Sequence, residues 1–284
     1  MRQDVIWITG ASGRLGQALT RQLDPLEAEI IATDKNEVDI TDINQVNRFV
    51  DRNRPKVIIN SSGLSNREKC EENPDAAYLL NTIGAKHIAI ASSRVKAKLF
   101  QLSTADVFDG NTIHPYKEID SPKPNTVYGK SKYLGEQMVR YFAHRYFILR
   151  VSRLYSKENS FVEEIIRQAK ETGKVEIARG QFFSPTPAYE LAQFIIRLMI
   201  SSNYGLYHAS SEGYCSMEEF VHKILKYANL KAQIVYSKNR EAVSLRPFFR
   251  AIDNYALNLI KTYEFADWDQ ALKKYMEMEG LSEI

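Results

Sequence analysis

Cysteine is scarce in this chain: Cys70 and Cys215 are the only two among 284 residues, and they lie far apart. Two distant thiols support neither a disulfide framework nor a zinc centre, and they fit a reducing cytoplasmic setting. A dominant charge is lacking too. Lys and Arg number 38 against 35 Asp and Glu, a balance of +3 with the basic residues scattered, which argues against nucleic acid or a membrane surface as a partner. No run is long and apolar enough for a bilayer, since the most apolar stretch, 191–200, is broken by Gln193 and Arg197. Asp4 puts an acid where a signal peptide would begin its apolar run. Repeats, low-complexity tracts and Gly/Ser linkers are missing as well. The five histidines show no metal-ligand spacing, so no metal is expected, and there is no Gly-x-Ser-x-Gly elbow for a serine nucleophile. What remains, at 44% apolar and 26% charged, is ordinary globular chemistry of a length that allows one large domain or two modest ones.

The first half alternates apolar runs of strand length (5–9, 29–33, 57–60, 98–102 and 146–151) with amphipathic helical patterns at 13–23, 42–53, 74–94 and 126–144. Such alternation predicts a parallel sheet covered on both faces. The second half is more mixed. Helical patterns at 160–172, 187–201, 217–228 and 267–278 are interleaved with short strand-like pieces at 175–178, 206–209 and 233–236. A smaller second domain is consistent with this pattern, which does not fix its boundary.

The first strand runs directly into Gly10-Ala11-Ser12-Gly13-Arg14-Leu15-Gly16, which opens the first helix. Glycines suit a tight turn and a close backbone approach to a pyrophosphate, whose charge the helix-start N–H groups then bind. Asp34 ends the second strand, where an acid can accept hydrogen bonds from an adenosine ribose; the alternative is a plain loop or capping acid. Arg14 and Lys35 could instead meet a 2′-phosphate, so NADH and NADPH both stay open.

Tyr128 and Lys132 are four residues apart at the start of a predicted helix and so share one face. A lysine roughly 5 Å from a phenol, at an effective dielectric of about 20, is worth about 3 kcal/mol. That predicts a tyrosine lowered by about two pK units, a usable acid near neutral pH. The bland alternative is a surface Tyr/Lys face. Thr104 follows the fourth strand, where a hydroxyl can orient a substrate carbonyl or merely cap a turn.

These pieces resemble the extended short-chain dehydrogenase/reductase family, and within it the dTDP-4-dehydrorhamnose reductases. The similarity extends through DITD at 39–42, NSSG at 60–63, STADVFDG at 103–110, ENSF at 158–161, GQFFSPT at 180–186, GLYHAS at 205–210 and Arg246-Pro247. The resemblance implies an α/β fold, a Rossmann-type doubly wound parallel sheet with a smaller, discontinuous α/β substrate-binding domain. Residues 1–152, with parts of 186–215 and 250–284, would bind the dinucleotide; 153–185 and about 216–249 would bind substrate. Thr104, Tyr128 and Lys132 would be catalytic, with Gly10, Ser12, Gly13, Arg14, Leu15, Gly16, Asp34, Asp39, Ile40, Gly63 and Leu64 around the cofactor; Tyr128 and Lys132 would bind the cofactor as well, Lys132 holding the nicotinamide ribose, and Thr104 would also meet the substrate. The implied partner is a nucleotide sugar, and the family leaves room for a homodimer.

Three departures fall on the substrate side. Ala105-Asp106 stands where the family usually has Asp-Tyr, Arg153 where it has Trp, and Phe183 where it has Gly. Ala105 and Arg153 are therefore expected beside the substrate. The alternatives are a related reductase or epimerase acting on another sugar, and a non-catalytic cofactor-binding subunit like the beta subunit of methionine adenosyltransferase.

Overall fold

The computed structural model describes residues 3–157, 161–237 and 246–283. Glu158, Asn159 and Ser160 of the ENSF motif lie outside them, as do residues 238–245 of the expected substrate segment. The apolar runs become β1 (Asp4–Thr9), β2 (Ala28–Thr33), β3 (Val57–Asn60), β4 (Lys98–Thr104) and β5 (Tyr146–Val151). With the edge strand Gly205–His208 they form a six-stranded parallel sheet in the order Gly205–His208, β5, β4, β3, β1, β2. Successive side chains on a strand point to opposite faces. Ile6 and Ile8 accordingly enter one apolar cluster with Phe100, Phe147 and Phe194, while Trp7 enters another with Ile58, Leu99 and Ile148. Both faces are covered, which is why these strands read as continuous apolar runs.

The chain passes from β1 outward to β2, then returns across β1 to β3. Strand order reverses between β1 and β3, and in open parallel sheets ligands bind in the crevice beyond the carboxyl ends at such a point. Around the sheet lie α1 (Arg14–Gln22), α2 (Ile43–Asn53), α3 (Arg67–Glu72), α4 (Pro74–Tyr78), α5 (Ala85–Val95) and α6 (Val127–Phe142). The helix expected at 74–94 is not continuous: a π-helical turn, Leu79–Gly84, separates α4 from α5. Asn81 in that turn is committed to tertiary bonds. Its Oδ1 accepts from the Leu64 N–H at 2.9 Å, and its Nδ2 donates to Leu64 O at 3.1 Å and to Ser131 Oγ at 3.0 Å.

A separate apolar cluster gathers Val162, Ile165, Val175, Phe183, Phe220 and Ile224 with Leu272, Tyr275 and Met276 of the C-terminal helix Trp268–Met278. Segment 250–284 is thus shared: Leu257 and Phe265 pack with the central sheet, and the last helix packs with this second cluster. The short strands Phe182–Phe183, Cys215–Ser216 and Phe249–Arg250 form a small sheet, and Arg153–Tyr155 pairs with Pro185–Pro187. Two- and three-residue strands carry too little alternation to be legible in sequence.

Candidate active site

The glycine loop occupies the switch point. Gly10 has φ +68°, and a Cβ there would come within 2.8 Å of Ser62 N, so only glycine lets the end of β1 pass against the segment after β3. α1 then starts after Gly13, which offers no side-chain cap, and its first turn holds no acid. Its uncapped N–H groups and positive dipole end suit an anion such as a pyrophosphate. Asp34 faces this loop and accepts the Ser12 N–H at 3.0 and 3.3 Å. It is therefore held at the crevice, where a ribose would meet it. The Asp39 carboxylate accepts from the N–H and hydroxyl of Thr41 at 2.9 and 2.7 Å. Burial works against its charge, but these bonds, with Lys35 nearby, hold its pKa below the ordinary value. Leu15 and Ile40 bury their side chains in the two core clusters, so only their backbone can face a cofactor. Gly63 leaves space beside Lys132, and Leu64 packs on Tyr128.

Thr104 is the last residue of β4 and is buried, as are Tyr128 in the first turn of α6 and Lys132 one turn on. Thr126 caps α6 by accepting the Gly129 N–H at 3.1 Å. Gly129 itself presses on the Asp106 carbonyl, an approach that any Cβ would block. The Thr104 hydroxyl lies close enough to the Tyr128 phenol to help lower its pKa. Lys132 Nζ donates to Leu102 O at 2.7 Å. Burial pulls the Lys132 pKa down to about 8, with Glu136 and Cys70 opposing.

The expected depression of Tyr128 by Lys132 is not what the site shows. Burial raises the Tyr128 pKa, and the cation opposing it is Arg67, whose guanidinium carbon lies 4.8 Å from the phenol ring centroid. Lys132 is instead turned toward the β4 carbonyl and the field of Glu136. Glu136 belongs to a buried network: its carboxylate accepts from Arg150 Nε at 2.9 Å, Arg150 Nη2 at 2.7 Å and Ser103 Oγ at 2.5 Å.

On the substrate side, Asp106 is wholly buried, and its Oδ2 takes Arg67 Nε and Nη2, each at 2.6 Å. Arg250 Nη1 lies 3.7 Å from the other oxygen. Ala105 is buried in the short turn after β4, in an apolar cluster with Val107, Phe108 and Ile252. Arg153 is half-buried, its guanidinium carbon 4.0 Å from the Phe161 ring centroid and 4.9 Å from that of Phe183. Two of the departures from the family pattern thus touch each other. Burial and the fields of Arg246, Arg250, Arg67 and Arg14 all act against the Arg153 charge. A guanidinium keeps its proton in a protein, so Arg153 stays cationic among these neighbours. Sequence reasoning missed Arg67, because it sits in an acidic stretch that reads as a solvated helix start, and missed Asn81, Glu136 and Arg250, which carry no motif.

A doubly wound parallel sheet, an uncapped glycine-loop helix at its switch point and a Thr–Tyr–Lys set beyond β4 define an extended short-chain dehydrogenase/reductase. Comparison with known proteins narrows the class. The family described as RmlD substrate binding domain matches residues 4–280. The spore coat polysaccharide biosynthesis protein SpsK of Bacillus subtilis is 34% identical over 275 residues, covering 96% of each chain. A dTDP-4-dehydrorhamnose reductase of Aggregatibacter actinomycetemcomitans is 30% identical, covering 94% of this chain and 96% of its own. Among solved structures, the dTDP-4-dehydrorhamnose reductase of Bacillus anthracis in complex with NADP superposes with TM-score 0.93 at 37% identity, covering 97% of this chain and 99% of that one. The chain belongs to the RmlD family. No described helix is long and apolar enough to cross a membrane.

Proposed function

We propose that this chain uses NADH or NADPH to reduce the 4-keto group of a nucleotide-activated deoxysugar, dTDP-4-dehydro-L-rhamnose to dTDP-L-rhamnose. The observation that carries it is the buried Thr104–Tyr128–Lys132 set at the carboxyl end of β4, in a chain matched over nearly its full length by relatives named for that reduction. The Gly10 cradle and the uncapped start of α1 fit a dinucleotide pyrophosphate, and Asp34 fits its ribose. When bound, the dihydronicotinamide supplies the hydride. Thr104 donates a hydrogen bond that orients the ketone oxygen, and Tyr128 gives that oxygen its proton. Lys132 holds a positive charge beside them, and burial keeps water from competing for the bonds. The arginines around Arg153 take the sugar nucleotide's diphosphate.

The same proposal divides the chain as the resemblance implies, with 1–152 and parts of 186–215 and 250–284 for the dinucleotide and 153–185 and about 216–249 for the sugar. Packing of the last helix into the second cluster favours moving that helix to the substrate side. Two buried free thiols fit a cytoplasmic setting, and sedimentation would decide the homodimer. The decisive test is cofactor oxidation against a panel of nucleotide 4-keto-sugars. Tyr128→Phe is expected to keep cofactor binding and lose at least about a hundredfold in kcat. Near-normal turnover in that variant refutes the assignment, and so does stoichiometric cofactor binding by the wild type with no turnover on any keto-sugar.

A further inference from the structure

We propose that Arg67, clamped by Asp106, is a positioning residue for proton transfer: its guanidinium lies over the Tyr128 ring and stabilises the phenolate left when the proton departs. This rests on Tyr128 being the proton donor. In that step the Tyr128 O–H bond breaks, the proton goes to the ketone oxygen, and the negative charge stays on the phenolate until solvent returns a proton.

The geometry favours an electrostatic role over a merely structural one. Arg67 stacks at 4.8 Å from the ring centroid, and two of its nitrogens lie 2.6 Å from one Asp106 oxygen. Its side chain is 12% exposed and that of Asp106 is 0%, so water screens the pair little. Asp106 also accepts the Thr104 hydroxyl at 3.4 Å, while its backbone N–H donates to Thr104 Oγ1 at 3.1 Å. One carboxylate therefore ties the stacking cation to the residue that touches the phenol. Asp106, one place after Ala105, pairs with Arg67.

Other charged and titratable groups face Tyr128 from the neighbouring elements. α3 contributes Cys70, with Glu71 accepting the Val127 N–H at 2.8 Å, and the late segment contributes Arg246 and Arg250. Lys132 shares the Tyr128 helix. Arg67 and Asp106 act on the phenol in opposite directions, the cation favouring the phenolate and the carboxylate opposing it.

That opposition supplies the test. In full-length protein carrying 13Cζ-tyrosine, the Tyr128 resonance is assigned by its loss in Tyr128→Phe, and its titration is followed without substrate. Arg67→Met is expected to raise the Tyr128 pKa by about one unit or more, and Asp106→Asn to lower it; Arg67→Lys, which keeps the charge, should stay within about half a unit of wild type. Shifts of opposite sign support the inference. Shifts of the same sign, or none, overturn it, and if Arg67→Met does not fold, Asp106→Asn against Arg67→Lys decides alone. Failure of the wild type to turn over any keto-sugar would refute the proposed reduction while leaving the titration to judge Arg67 separately.

Discussion

Replacing Glu136 by Gln should unsettle both the core and the site. Glu136 receives two bonds from Arg150 and one from Ser103, and the Arg150 and Glu136 side chains are 2% and 0% exposed. The amide keeps the shape but removes the charge, which leaves a guanidinium buried without a counter-ion. Breaking a buried pair from one side typically costs about 3–5 kcal/mol. That is a large share of a total stability of about 5–15 kcal/mol. At roughly 2–4 °C per kcal/mol for a chain near this size, Tm should fall by about 6–20 °C. Glu136 also supports the charged form of Lys132 against burial, so its loss should push the Lys132 pKa below about 8. The alkaline limb of kcat/KM should then move to lower pH. Calorimetry at neutral pH reads the first effect, and a pH–rate profile the second. Adding Arg150→Met should restore much of the Tm but not the limb, because only the stranded charge has been removed. A Tm within about 2 °C of wild type, with an unmoved limb, would refute the argument.

Lys132 itself predicts a pH dependence of stability. Burial depresses its folded pKa from 10.5 to about 8, so between those values the unfolded chain binds more protons and unfolding free energy rises with pH, by about 3 kcal/mol at most; Lys132→Met should remove that rise in pH-resolved denaturant titrations. Arg153→Ala should raise KM for the nucleotide sugar about tenfold or more, with cofactor affinity steady in fluorescence titrations, as expected for losing a charge-assisted bond of roughly 1.5–3 kcal/mol. Because Phe183 occupies the space beside Arg153, Arg153→Trp alone should overpack and cost about 1–3 kcal/mol, whereas adding Phe183→Gly should recover stability. Asp34→Ala should shift the ratio of kcat/KM values toward NADPH by removing a carboxylate that repels a 2′-phosphate; an unchanged ratio would take Asp34 away from the ribose.

The cofactor side of this protein was legible in its sequence because local rules govern it. Five apolar strands, the glycine loop at 10–16 and an acid after β2 are short-range features, each dictated by the residues that occupy it. The spacing of Tyr128 and Lys132 was likewise enough to place both on one face of α6. What only tertiary structure decided is which charges meet. Arg67, Asp106 and Arg250 come from separate stretches of chain, and no periodicity announces that one carboxylate will gather two guanidiniums beside a phenol. The reversal of the expected Tyr128 shift has the same origin. Spacing on a helix gives a distance between two side chains, but a pKa responds to burial and to every charge around the group, and those were set when the strand ends, α3 and the segment after 245 closed over Tyr128.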